Sequence, residues 1–478
     1  MFLLKDSYHS KIGLTCFLLL LLAVTVVAST KYGGDWRIYL IFSVVSNFLL
    51  LVGFSKNAIF FDTFIGVFFW LGFWLKASFK IIFYGGEFSE SVGQFDGSGD
   101  AFDHAIIVIT VAFAGLLIAR WARLRWMFSY REHREIVDDM GLFKVYKKHR
   151  AAILIFFVLA FLLVGISNVF FGIYQRGEIP RTILPYGLNG VYTWLLLFGL
   201  ASFSALIMRF ELALNNARDS AVPLIVLLEL FVSNVSLLSR GMLLNFVALF
   251  YGAYNLAKRS SIKITIKQFI VVMSIFIVLF GSSVIAVNYL RTLEHHERFI
   301  PVTKVSKEKV NTIVAMTSSL FINRWVGMEG VLAVTSYGDS GWGLFREALK
   351  ERYSHYETSF YDLNIIDSPY ADMDKTKNHY ISLPGAIAFF FYPGSYLFLL
   401  IVMILIGLFA AMFELITYKL GGKNLILCAL ISQVIAFRLA SFGYVPSQSY
   451  LLFGTIFLNL LMIFVLIYIF NKFYKPNQ

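Results

Sequence analysis

The sequence predicts an all-α polytopic membrane protein of the inner-membrane type. Apolar residues gather in long runs, many near the ~20 residues that cross a bilayer as a helix. Charge is confined mostly to the stretches between those runs. The basic bias of those stretches alternates along the chain. Of the 478 residues, 58% are hydrophobic and only 15% charged, whereas a soluble chain carries about a quarter charged residues.

Twelve spans are predicted, at 12–29, 37–54, 58–75, 104–120, 151–171, 191–209, 222–238, 242–257, 268–288, 395–416, 425–440 and 450–470. The first run, with Lys5 and Lys11 before it and Ala28 and Ser29 after it, has features of a signal peptide. Many comparable runs follow, so a retained first helix is expected. Glu229 interrupts the seventh run.

Orientation follows from lysine and arginine. The connection after the fourth run holds Arg120, Arg123, Arg125, Arg131, Arg134, Lys144, Lys147, Lys148 and Arg150, which assigns it to the cytoplasm. Alternating from there also places Lys56, Arg218, Lys258, Lys419 and Lys472 inside, and the acidic stretch Glu87, Glu90, Asp96, Asp100, Asp103 outside. Both termini are then cytoplasmic. The net charge of +12 is a topology signal of this kind, and nucleic-acid binding is not expected. Cys16 and Cys428 lie inside apolar runs and read as buried thiols.

The chain divides into a membrane part over 1–288 with nine helices, a large outer loop over 289–394, and three last helices over 395–478. A second, short outer loop covers 172–190. The large loop is far longer than a structureless connection and so is expected to carry function. Within it, 311–336 predicts a helix, with Ile313, Met316, Leu320, Val331 and Val334 near one face. Residues 353–382 read as irregular, and LPGAIAFFFYPGS (383–395) as a re-entrant segment, tolerated only where protein surrounds it.

Arginines on the outer side run against the positive-inside bias. Arg176 and Arg181 share the short loop, Arg240 lies in SRG, Arg291 and Arg298 open the large loop, and Arg324 sits in NRWVGMEG. Each alone could be an interfacial anchor or a carboxylate partner. Together they suit an anion, because a guanidinium fork matches phosphate oxygens bidentately. Arg240 needs a counter-charge, and Glu229, about three helical turns away, is too distant on a straight helix. Arg438 raises the same question. A sugar hydroxyl acting as nucleophile needs a general base, and His379 and Glu329 are the candidates. His295 and His296, in EHHE, read as a solvated turn. Tyr361, Tyr370, Tyr380, Trp325 and Trp342 could stack on sugars or belong to an interfacial belt. Asp367, Asp372 and Asp374 are a weak cation signal; no metal site and no cofactor are expected.

Four stretches carry a family resemblance. An R-x10-G pattern runs from Arg176 to Gly187 in the short loop; RWVGMEGVLAV (324–334), LPGAIAFFFYPGSYLF (383–398) and SRG (239–241) accompany it. In these, and in its layout over nearly the whole length, the chain resembles the Wzy-type O-antigen polymerases and their exopolysaccharide relatives. It departs from them in the large loop, where Thr335, not glycine, stands eleven positions after Arg324. The resemblance implies a metal-independent membrane glycosyltransferase of the C-type (GT-C) fold, facing the periplasm of a bacterial inner membrane. It would transfer a growing glycan to the non-reducing end of a new undecaprenyl-pyrophosphate-linked repeat unit, working beside a flippase and a chain-length regulator amid membrane lipid. Arg176, Arg181, Arg240, Arg291 and Arg324 would neutralise pyrophosphate, and His379 or Glu329 would activate the acceptor hydroxyl. An O-antigen ligase, which depends on a histidine in its large loop, is the nearest alternative. A transporter is the other, but it expects midplane charges and internal repeats. Only Asp62, Glu229 and Arg438 are candidates for such charges, and no repeat is visible.

Overall fold

A computed structural model describes residues 8–128, 130, 137, 140–215, 221–239, 241–260, 262, 264–294, 324–354, 357–366, 368 and 381–473. The described residues are all-helical, as expected where backbone polar groups must be satisfied within the segment. The twelve predicted runs become helices α1 (Tyr8–Lys31), α2 (Trp36–Gly53), α3 (Phe60–Tyr84), α4 (Gly99–Trp126), α5 (Gly141–Phe171), α6 (Leu188–Trp194, continuing through Leu200–Asn215), α7 (Ala221–Ser236), α8 (Met242–Arg259) and α9 (Ile266–Glu294), and, after the large loop, α14 (Tyr396–Leu420), α15 (Leu425–Ala440) and α16 (Ser449–Phe473). Between them the loop contributes the short helices α10 (Met328–Thr335), α11 (Trp342–Leu349), α12 (Phe360–Asn364) and α13 (Ala386–Phe390).

Nine helices among the described residues are long and apolar enough to cross a membrane, which makes this a multi-pass membrane protein. Helices α7 and α15 are apolar but only 16 residues each. Helix α8 keeps a polar face.

Helix α15 is the axis of the bundle. Nearly all its side chains are buried, against α3, α8, α6 and α14. Helix α4 packs along α14 through small residues: a Cβ at Gly115 would stand 2.9 Å from Met403 Cβ, and one at Gly407 would stand 2.6 Å from Ala119 Cβ. Close backbone approach of this kind holds helices together where lipid removes the hydrophobic drive. Helices α3 and α6 each contain a π-helical turn, at Trp70–Leu75 and Leu195–Gly199.

The two ends of the bundle differ. At the end where α3 starts and α4 finishes, Asp62 pairs with Arg120 at 3.1 Å and Arg123 at 2.7 Å, and Arg150 pairs with Glu211 at 2.6 Å. The opposite end carries the short loop and the described part of the large one.

Three expectations change. Asp62, Glu229 and Arg438 are not the only charges within the bundle, for Lys76, Lys80, Arg123, Arg209, Glu211 and Glu414 are buried as well. Hydropathy treats residues just past an apolar run as connection; Arg123 is one such, yet it is part of α4 and turns inward to Asp62. Second, the described part of the helix expected over 311–336 is helical only from Met328, so Arg324 lies in a turn ahead of α10, not on one helix with Glu329. Residues 311–323 lie outside the described residues. Third, the stretch expected to be irregular contains α12, capped by Ser359, whose hydroxyl accepts from Asp362 N at 3.1 Å.

The segment 383–395 is an ordered cap. Helix α13 is buried, with Phe389 against Phe345 and Phe390 stacked on Phe442. It rests on α10 through Gly330, where an added Cβ would meet Pro384 O at 2.0 Å. Gly330→Ala is therefore expected to destabilise the protein by ~3 kcal/mol or more, at the upper end of overpacking costs, because backbone cannot step aside as a side chain can. Gly343→Ala, with open space around its Cβ, is the matched control. Thermal unfolding of both purified variants checks this, and equal midpoints would refute it.

Candidate functional site

The short loop is wired by two asparagines. Asn168, fully buried near the end of α5, donates from Nδ2 to Tyr174 O (2.9 Å) and to Ser236 O (3.0 Å) and Oγ (2.8 Å), while its Oδ1 accepts from Tyr174 N (2.9 Å). Asn189, at the start of α6, donates to Ile173 O and Thr182 O and accepts from Leu184 N at 2.7 Å. These bonds satisfy backbone groups that have no helix to pair with.

The wiring delivers Arg176 to the turn between α7 and α8. Its backbone N donates to Leu237 O at 3.0 Å, and Nη1 donates to Ser239 Oγ at 3.3 Å. Ser239 Oγ also accepts from Gly241 N at 3.1 Å. Two stretches singled out in the sequence, the R-x10-G arginine and SRG, thus meet in space. Arg181 is exposed, with its aliphatic stem over Gly172, whose carbonyl accepts from Arg181 N at 2.9 Å.

Arg438 adds a guanidinium that the sequence left unexplained. It lies near the end of α15, donates from Nη2 to Tyr444 O at 3.4 Å and is within electrostatic range of the Tyr174 phenol. Tyr444 faces Tyr353 with ring centres 6.0 Å apart, and its hydroxyl donates to Ser354 O at 3.4 Å. Burial, and then Tyr174, push the Tyr353 phenol up to about 12. Short loop, α15 and large loop therefore converge around three tyrosines and an arginine.

Further along, the large loop is pinned to α3 by charge. Lys76 Nζ reaches Glu329 Oε1 at 2.7 Å and Oε2 at 2.8 Å, and donates to Trp325 O at 2.6 Å. Trp325 stacks on Phe68 at 6.0 Å. One turn on, Lys80 donates to Ser89 Oγ at 2.7 Å and sits over the Tyr84 ring. The backbone carrying Lys76 comes close because Gly72 lies against Val326, where a Cβ would meet the carbonyl at 2.3 Å. Asp362 accepts from Ser359 Oγ at 2.6 Å and Ser382 N at 3.0 Å, which ties α12 to the strand of chain entering α13.

Among the candidates, Arg176 meets the SRG turn, Arg181 stands exposed beside it, and Arg324 is exposed in the turn before α10. Glu329 is buried and engaged with Lys76. Arg291 lies in the last turn of α9, its side chain outside the described residues. Arg240, His379, His295, His296, Tyr370, Tyr380 and the aspartates Asp367, Asp372 and Asp374 also lie outside them. Among the described residues, no group of three or more histidines, cysteines or carboxylates could hold a metal ion. Lys76 and Asn168 were not foreseen. Lys76 follows the apolar WLGFWL directly, and a lysine so placed was the signal available. No protein family, curated protein or solved structure matches the chain.

Proposed function

We propose that this protein is a polymerase of undecaprenyl-pyrophosphate-linked oligosaccharide repeat units. In this reading it is a metal-independent, C-type membrane glycosyltransferase with twelve spans, in a bacterial inner membrane with both termini in the cytoplasm. It extends a glycan at the periplasmic face, on units delivered by a flippase and under a chain-length regulator. One observation supports it above the others: the stretches that carry the family resemblance, far apart in sequence, gather at one end of the bundle. There Arg176 meets the SRG turn, and α10 and α13 pack against each other beside Arg438 and the tyrosines.

The chemistry follows from charge. A pyrophosphate leaving with negative charge is stabilised by guanidinium forks held at low dielectric. Arg176 is the first such group; Arg181, exposed in the same short loop, Arg324, exposed in the turn before α10, and Arg240 and Arg291 complete the proposed set. The acceptor hydroxyl needs a base, a role proposed for His379, with Glu329 as the second candidate.

Arg176→Ala is expected to slow polymerisation roughly thirtyfold, the equivalent of ~2 kcal/mol for one lost charge-assisted contact. The check is a surface-glycolipid gel from a deletion strain complemented with wild type or variant at equal protein level. The deletion should collapse the ladder to core plus one repeat unit, and Arg176→Ala should restore little of it. Loss of all repeat units with accumulation of lipid-linked polymer would instead identify a ligase. An unchanged ladder would overturn the reading and return attention to transport.

A further inference from the structure

The large loop holds a cleft of about 190 Å³ whose lining includes Glu357, Thr358, Phe360, Leu363, Asn364 and Tyr444. Its walls are fixed by Glu351, whose carboxylate accepts from Phe360 N at 2.6 Å and from Val445 N at 2.7 Å. That carboxylate joins α12 to the turn after α15. Burial raises its pKa, and the two amide donors oppose the rise. The cleft is two-faced. Phe360, Leu363 and the Tyr444 ring offer apolar surface, while Arg352, Glu357, Thr358 and Asn364 offer charged and polar edges. Asn364 Nδ2 donates to Phe360 O at 2.9 Å, which leaves its carbonyl oxygen and second N–H as hydrogen-bonding capacity.

Tyr444 belongs to this cleft and also to the group around Arg438 and Tyr174. Cleft and cationic region are therefore neighbours of different make-up: the cleft sets the Glu357 carboxylate and apolar carbon beside its own guanidinium, Arg352. Guanidinium groups suit phosphate oxygens. Carboxylate, amide and hydroxyl beside aromatic and aliphatic carbon suit a polyol with one C–H face and a rim of hydroxyl donors. The volume, about 190 Å³, suits a single sugar ring.

We propose that this cleft is the subsite for the terminal sugar of the acceptor, and that the tyrosine group marks the boundary between sugar and pyrophosphate. The inference rests on the polymerase reading for the identity of the sugar, and on the cleft alone for its location. Glu357 and Asn364 bind hydroxyls, and the apolar wall receives the ring face.

The test uses the purified full-length protein in nanodiscs. The probe is the lipid-free repeat-unit oligosaccharide, released by hydrolysis from the surface polysaccharide of the producing strain. Titration calorimetry against wild type should give saturable binding. Glu357→Gln combined with Asn364→Ala, both at exposed side chains, should weaken it at least tenfold, with the unfolding midpoint of the variant checked alongside. Arg176→Ala should leave it within twofold, because the probe carries no pyrophosphate. Equal binding by wild type and the Glu357/Asn364 variant, or no binding by correctly folded wild type, would overturn the subsite. The glycolipid gel is read separately. If deletion leaves the ladder unchanged the polymerase reading falls, while the location of the sugar site still stands or falls with the titration.

Discussion

Lys76→Met is expected to cost about 3–5 kcal/mol of stability. The pair it breaks is buried, with side-chain exposures of 1% for Lys76 and 9% for Glu329. Removing one partner leaves the other as an uncompensated charge, which is the expensive case. Trp325 O loses the donor at 2.6 Å in the same step. Glu329→Leu should cost a similar amount by stranding the lysine. The double variant Lys76→Met/Glu329→Leu should recover most of the loss, because neither charge then has to be desolvated. Thermal unfolding in detergent, followed by tryptophan fluorescence, measures all four corners of the cycle. A Lys76→Met protein melting with wild type would defeat the argument. The same double variant separates two roles for Glu329. If the carboxylate only anchors the loop, polymer returns with the fold. On the proposed polymerase reading, a protein that folds but yields single repeat units would show that the Lys76–Glu329 pair does more than anchor the loop.

The second large effect is at Glu414, near the end of α14. It is 1% exposed and accepts from Phe60 N and Phe61 N at 2.8 Å each, Tyr130 Oη at 2.6 Å and Ser432 Oγ at 2.8 Å. Two of these donors are the first amides of α3, where the helix dipole favours negative charge. Glu414→Ala leaves four donors without their acceptor. At ~1–3 kcal/mol for each buried unsatisfied group, the sum is comparable to the whole stability of a typical protein. We expect little folded protein from Glu414→Ala, and an intermediate yield from Glu414→Gln, which keeps an acceptor oxygen but turns an NH2 toward remaining donors. Monodispersity on size exclusion and the unfolding midpoint report the order. Equal behaviour of the alanine and glutamine variants would sink the account.

How far the sequence could be read differs between the membrane helices and the site. The apolar runs are helices, nine of them among the described residues long and apolar enough to cross a membrane, where a segment has to satisfy its own backbone, and that demand is written in length and hydropathy. Short-loop Arg176 was also legible, since the lysine and arginine bias leads one to expect its loop on the outer side, where an arginine needs a reason. Lys76 was not, because its partner is 253 positions away and nothing in either local pattern links the two. Arg324 was assigned to a helix by the apolar period of its neighbours. The period does not reveal that Val326 and Gly327 are pressed against Gly72, a contact outside the helix. Asn168 looked like one polar residue near the end of an apolar run; its four bonds exist only once the short loop has folded back on it.

The π turn at Trp70–Leu75 sets an angular phase for α3. A π turn holds one residue more than the α-helical turn it replaces, and each residue advances the helix by about 100°. Without it, a helix seated by Phe61 and Phe64 at one end would carry Lys76 and Lys80 to a different azimuth at the other, away from Glu329 and Ser89. The helix therefore answers to two packing clocks, one kept by the bundle and one by the loop, and the extra residue is the offset between them. Deleting one residue there would leave an apolar, regular helix that still crosses the membrane, with its cations addressed to the wrong neighbours.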